Sequence, residues 1–142
     1  MLTTTNAGSA EQTRRLATAL AASLKPGDVI ALFGQLGSGK TTFIQGLAKG
    51  LGVDNFVTSP SFVIMNEYPL PAGNKAGSFY HVDLYRLDSE EDVRNLGIED
   101  ILGGNNITAI EWAEKAPHLL PPLCKKIMFE LVSENERKIT VE

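Results

Sequence analysis

An α/β fold built around a phosphate-binding loop is predicted from three observations. Gly34-Gln35-Leu36-Gly37-Ser38-Gly39-Lys40-Thr41 fits the pattern G-x-x-x-x-G-K-[ST] at every required position. Asp28 to Phe33, just before it, reads as a buried strand leading in. Thr42 to Leu51, just after it, reads as a helix leading out. Strand, loop and helix in that order are the context the motif requires. Two further hairpins need antiparallel pairs. The predicted class is therefore a P-loop NTPase-like three-layer sandwich with a mixed, mainly parallel central sheet and antiparallel hairpins.

The spelling of the loop has a physical cause. Phosphate oxygens must meet a ring of backbone N–H groups at contact distance. Gly34, Gly37 and Gly39 lack Cβ atoms and let the backbone come close. The helix that follows begins with unsatisfied N–H groups and a positive dipole end. Lys40 adds a mobile charge for the β- and γ-phosphates, and the Thr41 hydroxyl suits Mg²⁺. The plain alternative is a glycine-rich turn before a helix.

The elements follow in order. Ser9 with Gln12 forms a capping-box pattern, and Leu16, Ala17, Leu20 and Leu24 recur at helical spacing. Lys25-Pro26-Gly27 stops that helix. The loop's own helix carries Ile44, Leu47, Ala48 and Leu51 on one face and ends at Gly52. Phe56 to Pro60 is a loop or short extended piece, and Ser61 to Tyr68 a strand. Pro69 to Gly77 is a turn or exposed loop. Ser78 to Tyr85 is a strand paired with the preceding one. Asp88 or Ser89 caps a short helix that Gly97 interrupts, and Ile98 to Leu102 adds another turn. Ile107 to Ile110 is a short buried strand ending at Glu111. Ile127 to Val132 and Lys138 to Val141 form a terminal hairpin across Ser133 to Glu136.

Composition limits the function. The 142 residues suit one domain, 1–142, and carry a net charge of −4 without a basic stripe. Tight autonomous nucleic-acid binding is not expected. No apolar run is long enough to span a membrane. Met1 to Thr5 lacks the basic and apolar regions of a signal peptide. Cys124 is the single cysteine, which fits a reducing, cytoplasmic setting and a small apolar filler before a strand.

A phosphate loop alone binds nucleotide; hydrolysis also needs a metal-orienting carboxylate and a group that positions water. Two strands end in acids. Period-two alternation puts Phe79, His81 and Asp83 on one face of their strand, and Ile107, Ala109 and Glu111 on one face of theirs. Ligands of open α/β sheets gather at the carboxyl ends of strands. Asp83 and Glu111 are therefore candidate metal or water-positioning residues; each could instead simply close its strand. His81 has either a site role or a structural hydrogen bond. His118 belongs to surface or loop. Arg86 either faces γ-phosphate charge or pairs with a nearby glutamate. Thr58-Ser59-Pro60-Ser61 lies where other phosphate-loop proteins sense the γ-phosphate, and also suits a plain proline turn. Asn74-Lys75-Ala76-Gly77 lacks the Asp of a guanine-reading motif, so adenine is favoured.

Together the motifs resemble the TsaE family, bacterial ATPases of the threonylcarbamoyladenosine pathway of tRNA modification. Four segments carry the resemblance: GQLGSGKTTFIQGLAKGLG, VTSPSFVIMNEY, FYHVDLYRL and ITAIEWAEK. The first is generic to phosphate-loop proteins; its combination with HVDLYR and IEW is specific. The resemblance implies ATP and Mg as cofactors, slow hydrolysis, and work with TsaD and TsaB, tRNA being reached only through them. It puts Gly37, Ser38, Gly39, Lys40, Thr41 and Thr42 on the nucleotide loop, and Thr58 to Phe62 on a switch-like segment. Asp83 and Glu111 fall on the family's acids linked to metal and hydrolysis. Lys40, Asp83 and Glu111 thus form the expected catalytic set, and Thr41, Asp83 and Glu111 the metal set. Trp112 falls on the motif tryptophan and also suits a core anchor. Gln35 stands where the family usually has Asp, Ser38 where Ala is common, and Ser61 where Thr is common.

Two other classes compete with an ATPase that cycles a partner complex. A small-molecule kinase needs an acceptor pocket under an arginine-bearing lid, and this chain has few arginines. A nucleotide-gated binding module would hydrolyse only incidentally.

Overall fold

Apolar strands flanked by turn residues line up at the centre of the molecule. The computed structural model describes residues 2–35, 37–54 and 65–142. Among these, seven strands form one sheet: β1 (Thr3–Ala7), β2 (Val29–Phe33), β3 (Met65–Pro69), β4 (Ser78–Asp83), β5 (Asn106–Glu111), β6 (Lys125–Leu131) and β7 (Arg137–Val141). Their spatial order is β1-β7-β6-β2-β5-β4-β3. The central four, β6, β2, β5 and β4, are mutually parallel, while β3 and β7 run against their neighbours. β1 is antiparallel to β7, so five of the seven strands share one direction. This is the mixed, mainly parallel sheet expected. β2 is buried from Val29 to Leu32, as a parallel strand covered on both faces must be.

Helices α1 (Ala10–Ala21) and α2 (Lys40–Gly50) cover one face. They enclose Ile30, Leu32, Phe79, Ile107, Ile127 and Ile139 with Phe43, Ile44 and Leu47 of α2. Small residues let the two helices approach. A Cβ on Gly46 would lie 2.4 Å from the Arg14 carbonyl oxygen, and Thr18 Oγ1 donates to the Gly46 carbonyl at 2.9 Å. On the opposite face, α3 (Glu90–Asn95) and 3-10 turns at Ile98–Asp100, Ala113–Lys115 and Pro117–Leu119 enclose Val29, Ala31, Val82, Leu84 and Ile110.

Local signals explain the boundaries. Ser9 Oγ accepts from Gln12 N at 3.1 Å, while Gln12 Oε1 accepts from Gly8 N at 2.6 Å, so α1 is capped reciprocally. Ser89, rather than Asp88, caps α3 through Asp92 N. Gly97 takes the left-handed conformation where that helix ends. α2 begins at Lys40, two residues earlier than the expected start at Thr42, because Gly39 already serves as its N-cap. β4 stops at Asp83 instead of Tyr85: Asp83 Oδ1 accepts from Tyr85 N at 2.9 Å and turns the chain. β3 runs on through Pro69, a residue expected in the loop; as an edge-strand residue it needs no ladder N–H on its outer side. Phe56 to Pro60, and the Ser61 to Ile64 part of the expected strand, lie outside the described residues.

β1 was not expected. Its sequence, TTTNA, has no apolar alternation, and only Ala7 is buried. It is an edge strand held by register with β7, and such a strand needs little apolar surface of its own.

Candidate functional site

The strand β2 delivers the chain into a loop that only glycine can start. A Cβ on Gly34 would lie 2.8 Å from both the Phe129 carbonyl oxygen and Ser38 Oγ. Gly39, with φ of 101°, caps α2 in the left-handed region without a side-chain cap bond. Among the described residues no side chain caps the first N–H groups of α2, which stand beside a positive dipole end. Ser38 is buried, and its hydroxyl has no partner among the described residues.

Lys40 is buried at 4 % exposure. Its Nζ donates to the Gly34 carbonyl at 2.5 Å and stands 3.5 Å from the centroid of the Trp112 ring. Burial lowers its pKa below the usual lysine range, opposed by the negative charges of Glu111, Glu114 and Asp83. Trp112 has φ of 59°, the one positive value outside glycine among the described residues. A bulky residue in that region costs about 1–3 kcal/mol. The turn it makes ends β5 and brings the indole over Lys40. Tyr85 packs on the same indole, with ring centroids 5.0 Å apart. Lys115 Nζ donates to the Tyr85 and Leu87 carbonyls, tying the segment after β4 to the turn after β5.

The two acids are neighbours. In the parallel pair of β4 and β5, Asp83 stands opposite Glu111 and His81 opposite Ala109. Glu111 is 3 % exposed. Thr41 Oγ1 donates to its carboxylate at 3.2 Å from Oε1 and 3.4 Å from Oε2. His81 Nε2 lies 2.6 Å from Glu111 Oε2. The result is an unbroken line of hydroxyl, carboxylate and imidazole across α2, β5 and β4. Asp83 is half-buried and acts on Lys40 through its charge.

The other candidates fall as follows. Gly37, Ser38 and Gly39 form the loop before α2, and Thr42 lies half-buried in its first turn. Arg86 is exposed just beyond β4. His118 is on the surface and pairs with Glu90 at 2.9 Å. Cys124 is half-buried, and burial raises its thiol pKa, consistent with a filler rather than a nucleophile. Asn74 Oδ1 accepts from Ala76 N at 2.9 Å, an ordinary Asx turn. Thr58 to Phe62 lies outside the described residues. Trp112 packs against a core cluster, as the core-anchor reading has it, and also covers Lys40, a contact that no sequence reading named. Sequence reasoning missed Arg137, whose guanidinium Nη2 donates to the Gly37 carbonyl at 3.3 Å. The two are separated by 100 positions, and no local pattern links them.

Comparison with known proteins adds the following. The family described as "Threonylcarbamoyl adenosine biosynthesis protein TsaE" matches residues 7–139. A Bacillus subtilis protein named tRNA threonylcarbamoyladenosine biosynthesis protein TsaE is 38% identical over 130 residues, covering 92% of this chain and 78% of its own. A Rickettsia felis protein of the same name is 41% identical over 134 residues, covering 92% of this chain and 74% of its own. The crystal structure of YdiB from Bacillus subtilis superposes with a TM-score of 0.82 at 33% identity, covering 99% of this chain and 84% of that one.

Proposed function

The chain belongs to the TsaE family, and from that membership we propose that it binds ATP with Mg²⁺ and hydrolyses it slowly. In this reading the work serves threonylcarbamoyladenosine modification of tRNA in the cytoplasm, by acting on a complex of TsaD and TsaB, and tRNA is met only through them. The observation that carries the reading is the line from Thr41 to Glu111 to His81 beside the buried Lys40. Residues 1–142 act as one phosphate-loop domain, a reading supported by the single sheet that joins β1 to β7.

The residues present fit the two cofactors. Ser38 offers a buried hydroxyl without a partner among the described residues, and α2 begins without a side-chain cap. Lys40 supplies a desolvated cation whose attraction for phosphate is stronger than in water. Among the described residues no three His, Cys, Asp or Glu side chains gather into a metal cage. Mg²⁺ commonly takes one or two carboxylates, with waters and phosphate oxygens filling the other positions. Thr41, Glu111 and Asp83 are that kind of donor set, and the bound ion would neutralise charge on the phosphates.

Each side chain then has a defined part. Gly37, Ser38, Gly39 and Thr42 shape the loop and the first turn around the phosphates. Lys40, which donates to the Gly34 carbonyl, would meet a phosphate oxygen with the Trp112 face behind it. Thr41, Asp83 and Glu111 would hold the metal. Glu111, fixed by His81, orients the attacking water. With no group from outside completing the site, basal turnover is expected on the order of 10⁻⁴ to 10⁻² s⁻¹.

The test is ATP turnover by the chain alone and with TsaD, TsaB and tRNA added. Stimulation by the partners supports the reading. Turnover above about 10 s⁻¹ without them would instead mark a free-standing phosphotransferase. A hydrolysis-dead variant that binds ATP and still sustains repeated modification would favour a nucleotide-gated module.

A further inference from the structure

The phosphate loop is gripped from two sides. On the β5 side, Glu111 holds Thr41. On the β6–β7 side stands Arg137, the first residue of β7. Its Nη1 donates to the carbonyls of Ser133, Glu134 and Glu136 at 3.2, 3.1 and 3.4 Å, which fixes the guanidinium in the turn between those strands. Its Nη2 reaches the Gly37 carbonyl, and its Cγ and Nε lie 4.0 Å from where a Cβ on Gly39 would stand. The N–H of the same Gly37–Ser38 peptide donates to the Gln35 carbonyl at 3.1 Å. One peptide unit of a glycine-rich loop is therefore held at both ends. Glycine loses more conformational freedom on ordering than any other residue, so such a loop gains most from an external hold.

We propose that Arg137 is a positioning residue for the phosphate loop: its forked guanidinium, anchored in the terminal hairpin, sets the Gly37–Ser38 peptide so that the loop is ordered before nucleotide arrives. The consequence for affinity rests on the nucleotide-binding reading above; the consequence for loop order does not.

The test uses the full chain with Arg137→Ala and Arg137→Lys. Amide hydrogen exchange of residues 37–41 is followed without nucleotide, and ATP affinity with Mg²⁺ is measured by calorimetry. Arg137→Ala is expected to speed exchange in the loop and to weaken ATP about tenfold, the size expected for one lost charge-assisted hydrogen bond. Lysine keeps the charge but lacks the fork that joins the hairpin carbonyls to the Gly37 carbonyl, so Arg137→Lys should recover only part of either. Loop exchange identical to the parent in Arg137→Ala overturns the proposal, as does a loss in both variants that follows global thermal stability alone. If the parent chain binds no ATP, the nucleotide-binding reading fails, and the exchange measurement still decides the role of Arg137.

Discussion

His81 Nε2 lies 2.6 Å from Glu111 Oε2, and both side chains are buried at the carboxyl ends of adjacent parallel strands. A short bond between buried partners fixes the Glu111 carboxylate in one orientation, with its other edge facing Thr41. His81→Ala removes that partner and leaves a buried oxygen unsatisfied. We expect a stability loss of about 2–4 kcal/mol in urea unfolding. Turnover should fall more than ATP affinity. The same stability loss with full turnover would make His81 a packing residue only.

Glu111→Ala should depress ATP hydrolysis by at least about a hundredfold while changing the ATP dissociation constant by less than about tenfold. Single-turnover kinetics and calorimetry on the same preparation separate the two. Equal losses in both would make Glu111 a ground-state ligand.

Lys40→Ala should weaken ATP by about 1.5–3 kcal/mol, because a desolvated cation loses its phosphate contact. The Trp112 face loses the ammonium group above it at the same time. Calorimetry on the variant checks this, and an unchanged affinity would move the phosphate site elsewhere.

Gly34→Ala places a methyl group 2.8 Å from the Phe129 carbonyl oxygen, which belongs to the backbone of β6 and cannot turn aside. Overpacking of this kind costs about 1–3 kcal/mol. The expected result is a lower thermal midpoint together with weaker ATP binding. Parent-like values for both would mean that the loop relaxes away from β6 freely.

The Glu90 carboxylate is held below its ordinary pKa of 4.5, chiefly by its hydrogen bond with His118. Because the folded-state pKa is the lower one, the contribution is present above the unfolded value and is lost as pH falls through the folded value. Glu90→Gln should therefore melt below the parent near neutral pH, and the gap should close as pH drops below the ordinary carboxylate range. A gap that stays constant over that range would remove the carboxylate from the account.

The phosphate loop and both acids were legible because their signals are local. Eight consecutive residues, Gly34 to Thr41, carry the loop motif, and Asp83 and Glu111 each close a short strand that alternation marks. The cap at Ser9 and the break at Gly97 were legible for the same reason. β1 was not: Thr3 to Asn6 have no apolar period, and only pairing with β7 makes them a strand. His81 stood between two readings, since a histidine in a strand carries no mark of what its ring meets. Trp112 suits a core position, whereas its place over Lys40 has no mark in the sequence, and its backbone reversal has no glycine to announce it.

The chain's order alone determined that a strand, a glycine-rich turn and a helix succeed one another with a lysine and a threonine at the helix start, and that two strands finish in carboxylates. Tertiary structure decided which of these groups touch. The parallel register of β4 and β5 brought His81, Asp83 and Glu111 together, and the sheet order carried Arg137 of the last strand to the loop after β2. Motifs arise from neighbours along the backbone, whereas these contacts arise from strand pairing between segments tens of residues apart. Only the buried faces of the assembled sheet set that pairing.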